Sequence, residues 1–249
     1  MAFLQNKKRK RLIIWLTSIT LVIVMLFGAG LLYLNDYYKA QDSAINAFTA
    51  VKEAQITEDE EGNLIFKAKK ERAGFIFYQG GKVEQTAYKP LMALCAEKGI
   101  TCILLKMPFH LAVLDKNGAD GVKEKFPAIK RWYIGGHSLG GAMSASYVLE
   151  NASDFDGLIL LGAYSTANLS KTNLKVLSIY GSEDKVLDKE KYDECKANLP
   201  KNFTEHVIDG GCHAYFGMYG KQDGDGTPTI TVEKQLKETA KQIEKFIFG

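Results

Sequence analysis

The heptapeptide Gly135-Gly136-His137-Ser138-Leu139-Gly140-Gly141 carries the residues best placed to do chemistry in this chain. Within it, Gly136-His137-Ser138-Leu139-Gly140 has the G-x-S-x-G spacing of a nucleophile elbow. A serine that attacks a carbonyl must stand clear of the fold on a sharp strand-to-helix turn. Side chains two residues to either side would collide across that turn, so both flanks favour glycine. The apolar run Trp132-Tyr133-Ile134 supplies a strand before it. Ala142, Ser144, Ala145 and Ser146 supply a small-residue helix after it that can lie close to a sheet. The same residues would also serve a glycine-rich turn with an incidental serine, so the partners decide.

A nucleophilic serine needs a base within hydrogen-bond reach, and the base needs an orienting group. The chain has 4 histidines. His137 lies in the elbow itself, where its ring should point away from the serine's side. His206 falls inside a strand pattern and reads as a sheet-face residue. His110 follows Met107-Pro108-Phe109 beyond a strand end and could line a pocket. His213, in Gly210-Gly211-Cys212-His213-Ala214, sits past the last strand and ahead of the last helix. That is where the base of a Ser-Asp-His chain order falls, so His213 is the leading base. For the acid, Tyr180-Gly181-Ser182-Glu183-Asp184-Lys185-Val186 follows a strand. Asp184 is the first choice there, with Glu183 and Asp188 behind it, although such a residue also serves as a turn or cap. An oxyanion needs two backbone donors. Leu139, the residue after the serine, is one. Gly81, or Lys82 after it, in Tyr78-Gln79-Gly80-Gly81-Lys82-Val83 is the other. Neither phosphate-binding spacing, G-x-x-x-x-G-K-[ST] or G-x-G-x-x-G, is present in that loop. No Cys/His spacing suggests zinc, and no cofactor or metal is expected.

These groups need a scaffold that brings strand ends together. Short runs that are apolar throughout fall at 74–78, 102–106, 132–135, 158–161, 176–180 and 205–208. Helical patterns lie between most of them. Leu91, Leu94 and Cys95 share one helix face; Val232, Leu236, Ala240, Ile243 and Ile247 make a stripe on the last helix. Runs buried on both faces predict a mostly parallel, doubly wound α/β sheet with helices on either side. Before it, the acidic turn at 58–63 joins two antiparallel strands, one near 51–57 and one at 64–67.

The N-terminus is separate in kind. Lys7-Lys8-Arg9-Lys10-Arg11 precedes residues 12–34, which carry no charge. That run spans about 35 Å as a helix, enough for a bilayer core of about 30 Å. Trp15 and Tyr33 lie near its ends, where amphipathic rings favour the headgroup zone. The expected organisation is a basic cytoplasmic segment at 1–11, a transmembrane helix at 12–34, a stalk at 35–52 and a catalytic domain at 53–249 outside the cytoplasm. A cleaved signal peptide is the alternative. From Asn35 onward, 27 basic residues face 29 acidic ones, a net of −2, so the chain's overall +3 reports the N-terminal cluster. No basic face suggests nucleic acid.

From about Ala73 to the C-terminus the chain resembles the compact bacterial α/β-hydrolase family. The resemblance rests on Phe77-Tyr78-Gln79-Gly80-Gly81-Lys82-Val83, Met107-Pro108-Phe109-His110-Leu111-Ala112-Val113, the 135–141 heptapeptide, Gly181-Ser182-Glu183-Asp184-Lys185-Val186, and Gly210-Gly211-Cys212-His213-Ala214-Tyr215-Phe216-Gly217. It implies Ser138, Asp184 and His213 as a triad. Two positions depart from the family pattern: Gln79 stands where proline or histidine is more usual, and Cys212 where asparagine is common. The four cysteines, Cys95, Cys102, Cys195 and Cys212, are compatible with disulfides or with free thiols. Only a short connection separates Ser165 from Lys175, where many relatives carry a cap domain, so an uncapped, open site for small acyl esters is expected. The rival reading is a non-catalytic cell-surface binding module on the same fold.

Overall fold

Residues rich in β-branched and aromatic side chains form eight strands in one sheet, in the order β1-β2-β4-β3-β5-β6-β7-β8. The computed structural model describes residues 2–201 and 203–249, and the side chains of residues 1–12 and 31, the basic cluster at 7–11 among them, lie outside the described set. Strands β3 (Ala73–Tyr78), β4 (Ile100–Leu104), β5 (Trp132–His137), β6 (Gly157–Leu161), β7 (Lys175–Gly181) and β8 (Thr204–Ile208) pair in parallel. β1 (Gln55–Glu58) and β2 (Leu64–Lys67) form the antiparallel edge, β2 against β4. The hairpin between them is fixed by Asp59, whose Oδ1 accepts the amides of Glu61 and Asn63 at 3.1 and 2.8 Å. The first edge strand starts later than the pattern from residue 51 predicts, because Thr49–Glu53 is helical.

Alternation along β3 explains the two-sided core. Phe75 and Phe77 pack on one face with Leu91 and Met92 of α4 (Lys89–Glu97) and Ile243 and Ile247 of α7 (Val232–Phe248). Ile76 and Tyr78 pack on the other with Ala145 and Val148 of α5 (Leu139–Glu150). The strands are therefore buried on both sides, as their unbroken apolar runs require. Not every connection is helical. Between β4 and β5 the chain makes only 3₁₀ turns, at Pro108–His110, Ala112–Leu114 and Lys123–Lys125. Between β6 and β7, residues 162–174 hold no helix, so no cap covers the sheet there.

The chain divides into two compact units, Met1–Tyr37 and Tyr38–Gly249. In the first, the helix α1 (Ala2–Asn35) contains Ile13–Asn35, 23 residues of mean hydropathy 2.2, with no buried side chain among those described. By length and composition it is able to cross a membrane. The second unit opens with residues that pack rather than dangle. The Tyr38 amide donates to the Lys82 carbonyl at 2.7 Å, and the Tyr38 carbonyl accepts the Glu84 amide at 2.9 Å. Two short helices follow, α2 (Asp42–Ala47) and α3 (Thr49–Glu53), and they bury Ile45 and Ala50 in the core.

Candidate active site

The strand order reverses between β4-β3 and β5-β6, and the helices that follow β3 and β5, α4 and α5, pack on opposite faces of the sheet. Such a switch point opens a crevice at the carboxyl ends of the strands. Ser138 sits in it, half-buried, directly after β5 and as the N-cap of α5. Its backbone has φ 52° and ψ −122°, a region costly for a residue with a side chain. The strain is held by the Ser138 amide, which donates to the Leu161 carbonyl at 2.9 Å. The two flanking glycines are explained by close approach. A Cβ on Gly136 would lie 2.5 Å from the Tyr78 carbonyl oxygen, and one on Gly140 would collide with the carbonyls of Tyr78 and Gln79.

His213 and Asp184 meet at the neighbouring strand ends. His213 Nδ1 lies 2.8 Å from Asp184 Oδ2, with both side chains buried. The other carboxylate oxygen, Oδ1, accepts the amides of Val186 at 3.0 Å and Leu187 at 2.8 Å, which fixes the carboxylate plane. The His213 ring lies 4.5 Å from that of His137, the residue before the serine. His213 Nε2 is buried and has no hydrogen-bond partner among the described residues, so a bond from the Ser138 hydroxyl is not formed here. An imidazole tied to a carboxylate at Nδ1 can take a proton at Nε2. The other acids are engaged elsewhere. Asp188 caps α6 (Lys189–Cys195), accepting the Lys191 amide at 2.9 Å, and Glu183 accepts the Ser182 hydroxyl at 3.1 Å.

The loop after β3 leans on the elbow. A Cβ on Gly81 would lie 2.9 Å from Leu139 Cδ2, so the two residues are neighbours. The amides of Gly81 and Leu139 have no acceptor among the described residues. Lys82 is different: its amide donates to the His110 carbonyl at 2.8 Å and is spent. The Gln79 side chain stabilises the loop from inside, its Nε2 donating to the Val83 carbonyl at 2.9 Å and facing His110 Nδ1 at 3.3 Å. His110 thus accepts from an amide, and burial holds its pKa below the ordinary value. His206 pairs with Glu238 at 3.2 Å on the sheet face.

The Alpha/beta hydrolase family matches residues 74–237. The chain belongs to that family. Hydrolases of known structure share its architecture at low sequence identity. A predicted CIB-like hydrolase from Thermoplasma acidophilum has 16% identity and a TM-score of 0.54 over 77% of this chain and 98% of its own. Est1E from Butyrivibrio proteoclasticus has 12% identity and a TM-score of 0.57 over 79% and 99%. A dienelactone hydrolase from Anabaena variabilis has 11% identity and a TM-score of 0.57 over 78% and 96%. No curated protein matches the sequence.

Several residues that shape this hydrolase's crevice were not singled out by motif. Asp225 holds the histidine loop by its backbone: Oδ1 accepts the His213 amide at 3.2 Å and Oδ2 the Ala214 amide at 2.9 Å. Gln235, on α7, clamps the preceding residue from both sides. Its Oε1 accepts the Cys212 amide at 3.0 Å, and its Nε2 donates to the Cys212 carbonyl at 2.7 Å. A signal for it existed, since Gln235 interrupts the apolar stripe between Val232 and Leu236. Gly162, after β6, lies under the His-Asp pair at φ 51°, and a Cβ there would be 3.0 Å from His213 Nδ1. All four cysteines are free and buried. Burial, reinforced by Asp225, pushes the Cys212 thiol up to about 12, which keeps it unreactive. Among the described residues, no group of three or more His, Cys, Asp or Glu side chains could hold a metal ion.

Gln235→Leu keeps the volume of the side chain but strands a buried amide and a buried carbonyl at Cys212. Each should cost about 1–3 kcal/mol. Urea unfolding should therefore show a clear fall in stability, and an unchanged midpoint would mean that the loop holds itself.

Proposed function

We propose that this protein is a carboxylesterase-like serine hydrolase acting on small acyl esters through Ser138, His213 and Asp184. The observation that carries the reading is the 2.8 Å His213–Asp184 pair beside a serine in strained elbow geometry at the switch point. Ser138 Oγ attacks the acyl carbonyl while His213 Nε2 takes its proton. Asp184, its own orientation set by the Val186 and Leu187 amides, keeps the imidazole proton at Nδ1 and stabilises the imidazolium. The amides of Gly81 and Leu139 receive the oxyanion, aided by the positive end of α5. His213 then protonates the leaving group, and water enters by the same base to release the acyl enzyme. The name of one structural neighbour, a dienelactone hydrolase, agrees with ester chemistry.

The apolar helix at Ile13–Asn35 is an uncleaved anchor in this reading, with the basic cluster in the cytoplasm and Ser138 outside. Protease added to intact protoplasts should digest the hydrolase domain. Protection would reverse the orientation, and a soluble product lacking residues 1–30 would make the helix a cleaved signal.

Ser138→Ala should abolish both fluorophosphonate labelling and ester turnover with the fold retained. Asp184→Asn should lower kcat by roughly 10⁴. Turnover surviving in Ser138→Ala would remove the serine from the mechanism, and a well-folded wild type that neither labels nor turns over would favour a binding module.

Acyl preference follows from the absent cap. A buried methylene is worth about 0.8 kcal/mol, so a deep tunnel would raise kcat/KM roughly fourfold per carbon. With residues 162–174 forming only a connecting loop, the gain should fade after about four carbons. A p-nitrophenyl ester series from about two to sixteen carbons tests this. A maximum at twelve or more would contradict the open site.

A further inference from the structure

A second histidine belongs to this site. We propose that His137, packed against His213 at a 47° tilt and hydrogen-bonded to Tyr88, is a positioning residue that holds the His213 ring in place and presents a neutral ring to it. The proposal rests on the hydrolase reading above. His137 ends β5 and is 1% exposed. Its ring centroid lies 4.5 Å from that of His213, with Phe216 at 5.5 Å and Tyr219 at 6.4 Å around it. The ring is therefore not turned away into the sheet, as its place in the elbow suggests, but packs against the residue read as the base.

Hydrogen bonding fixes its protonation. His137 Nδ1 lies 2.8 Å from the hydroxyl of the fully buried Tyr88. That hydroxyl already accepts the Gly80 amide at 3.0 Å. A phenol has one hydrogen to give. If Nδ1 also donated, the Tyr88 hydrogen would be buried without an acceptor. His137 Nε2 is buried without a partner among the described residues in either case. With Tyr88 donating to Nδ1 it is the one unmatched group of the pair, whereas the reverse leaves the Tyr88 hydrogen unmatched as well, so His137 is assigned the neutral Nε2–H tautomer. Burial, and next the charge of His213, hold its pKa well below the ordinary value. The titratable groups facing His137 are His213, Tyr88 and Tyr219, with Asp184 behind His213. Burial pushes both tyrosines up, so they stay neutral too.

The consequence is chemical. When Ser138 loses its proton, His213 becomes an imidazolium, and a neutral aromatic face beside it favours that charge. A charged His137 at the same distance would oppose it. The same column reaches the oxyanion side, because Gly80 precedes Gly81. A Cβ on Gly80 would lie 2.6 Å from the Tyr88 hydroxyl and 2.7 Å from His137 Nδ1, so the column leaves no room for a larger residue.

The test uses the full chain in detergent, with kcat, KM and pH profiles on a short acyl ester and near-ultraviolet circular dichroism to confirm folding. His137→Ala should lower kcat by on the order of 10²-fold with KM little changed, because it loosens the base rather than the substrate. His137→Phe restores a ring packed against His213 and should recover most of that loss. Tyr88→Phe withdraws the donor from Nδ1, so His137 gains a proton more readily. The acid limb of kcat should then move to higher pH, and return in the Tyr88→Phe/His137→Phe double variant. A folded His137→Ala enzyme with wild-type kcat, or an acid limb unmoved in Tyr88→Phe, overturns the proposal. If Tyr88→Phe does not fold, the His137→Ala and His137→Phe pair decides: no difference in kcat between them would sink it. Ser138→Ala and His213→Ala separate the two failures. Turnover in either refutes the hydrolase reading, whereas their inactivity beside a fully active His137→Ala refutes only the positioning role.

Discussion

The close approach of two backbones at the switch point is the constraint on which the rest depends. The loop leaving β3 and the elbow leaving β5 touch through main-chain atoms, with the carbonyls of Tyr78 and Gln79 filling the space that side chains on Gly136 and Gly140 would need. This contact places Gly81 against Leu139 and sets the serine at the mouth of the crevice. It also explains the small residues that open α5. Ala145 and Ser144 are fully buried because the helix must lie flat on the sheet to bring its N-terminus to the elbow. Strain at Ser138 is tolerable because the parallel sheet on both sides determines where its amide points.

On the far side of the crevice the problem is the reverse. Residues 209–231, between β8 and α7, have no regular structure beyond one 3₁₀ turn at Ala214–Phe216, yet they carry His213 into its 2.8 Å contact with Asp184. A buried loop must still satisfy its backbone donors and acceptors. Here side chains do so. Asp225 collects the amides of His213, Ala214 and Gly226, the last at 2.8 Å. Gln235 saturates Cys212, and Gln235 is itself seated in α7 among Leu236 and Thr239. The loop is held from within by Asp225 and tied to the domain's last helix by Gln235. A polar residue in the apolar stripe of an amphipathic helix is thereby accounted for.

Most of the strands and the elbow were legible in the sequence because each follows from local patterning. Apolar runs at 74–78 and 158–161 became strands nearly to the residue, and the serine's flanking glycines report a contact that any such turn must make. Long-range polar contacts were not legible. Asp225 lies in a Gly- and Asp-rich stretch that reads as an ordinary turn, and nothing local says that its carboxylate reaches back to His213. Helical patterns between most strands left the connection from β4 to β5 open; there Pro108 and Gly118 break any helix, and Phe109 and His110 take left-handed backbone, at φ 50° and 59°. Lys82 was a reasonable donor by position. It fails because the His110 carbonyl, delivered by that irregular connection, takes its amide. His137 was placed correctly in the elbow, but its side-chain direction depends on Tyr88, 49 residues away.

The segment entering the second unit follows the same logic of remote hydrogen bonding. Tyr38 pairs with Val83, and its amide and carbonyl engage Lys82 and Glu84 on either side. Glu84 also accepts the Ala40 amide at 2.9 Å, and the Gln41 amide donates to the Met218 carbonyl at 2.9 Å. Residues 38–41 thus bridge the loop that carries Gly81 and the loop that follows His213, the two sides of the crevice that no helix joins directly. Ile45 and Ala50 then sink this segment into the core. Loss of residues 38–53 would uncover that part of the core and release both loops at once. The hydrolase therefore begins, physically, at Tyr38 rather than at the first strand of its sheet.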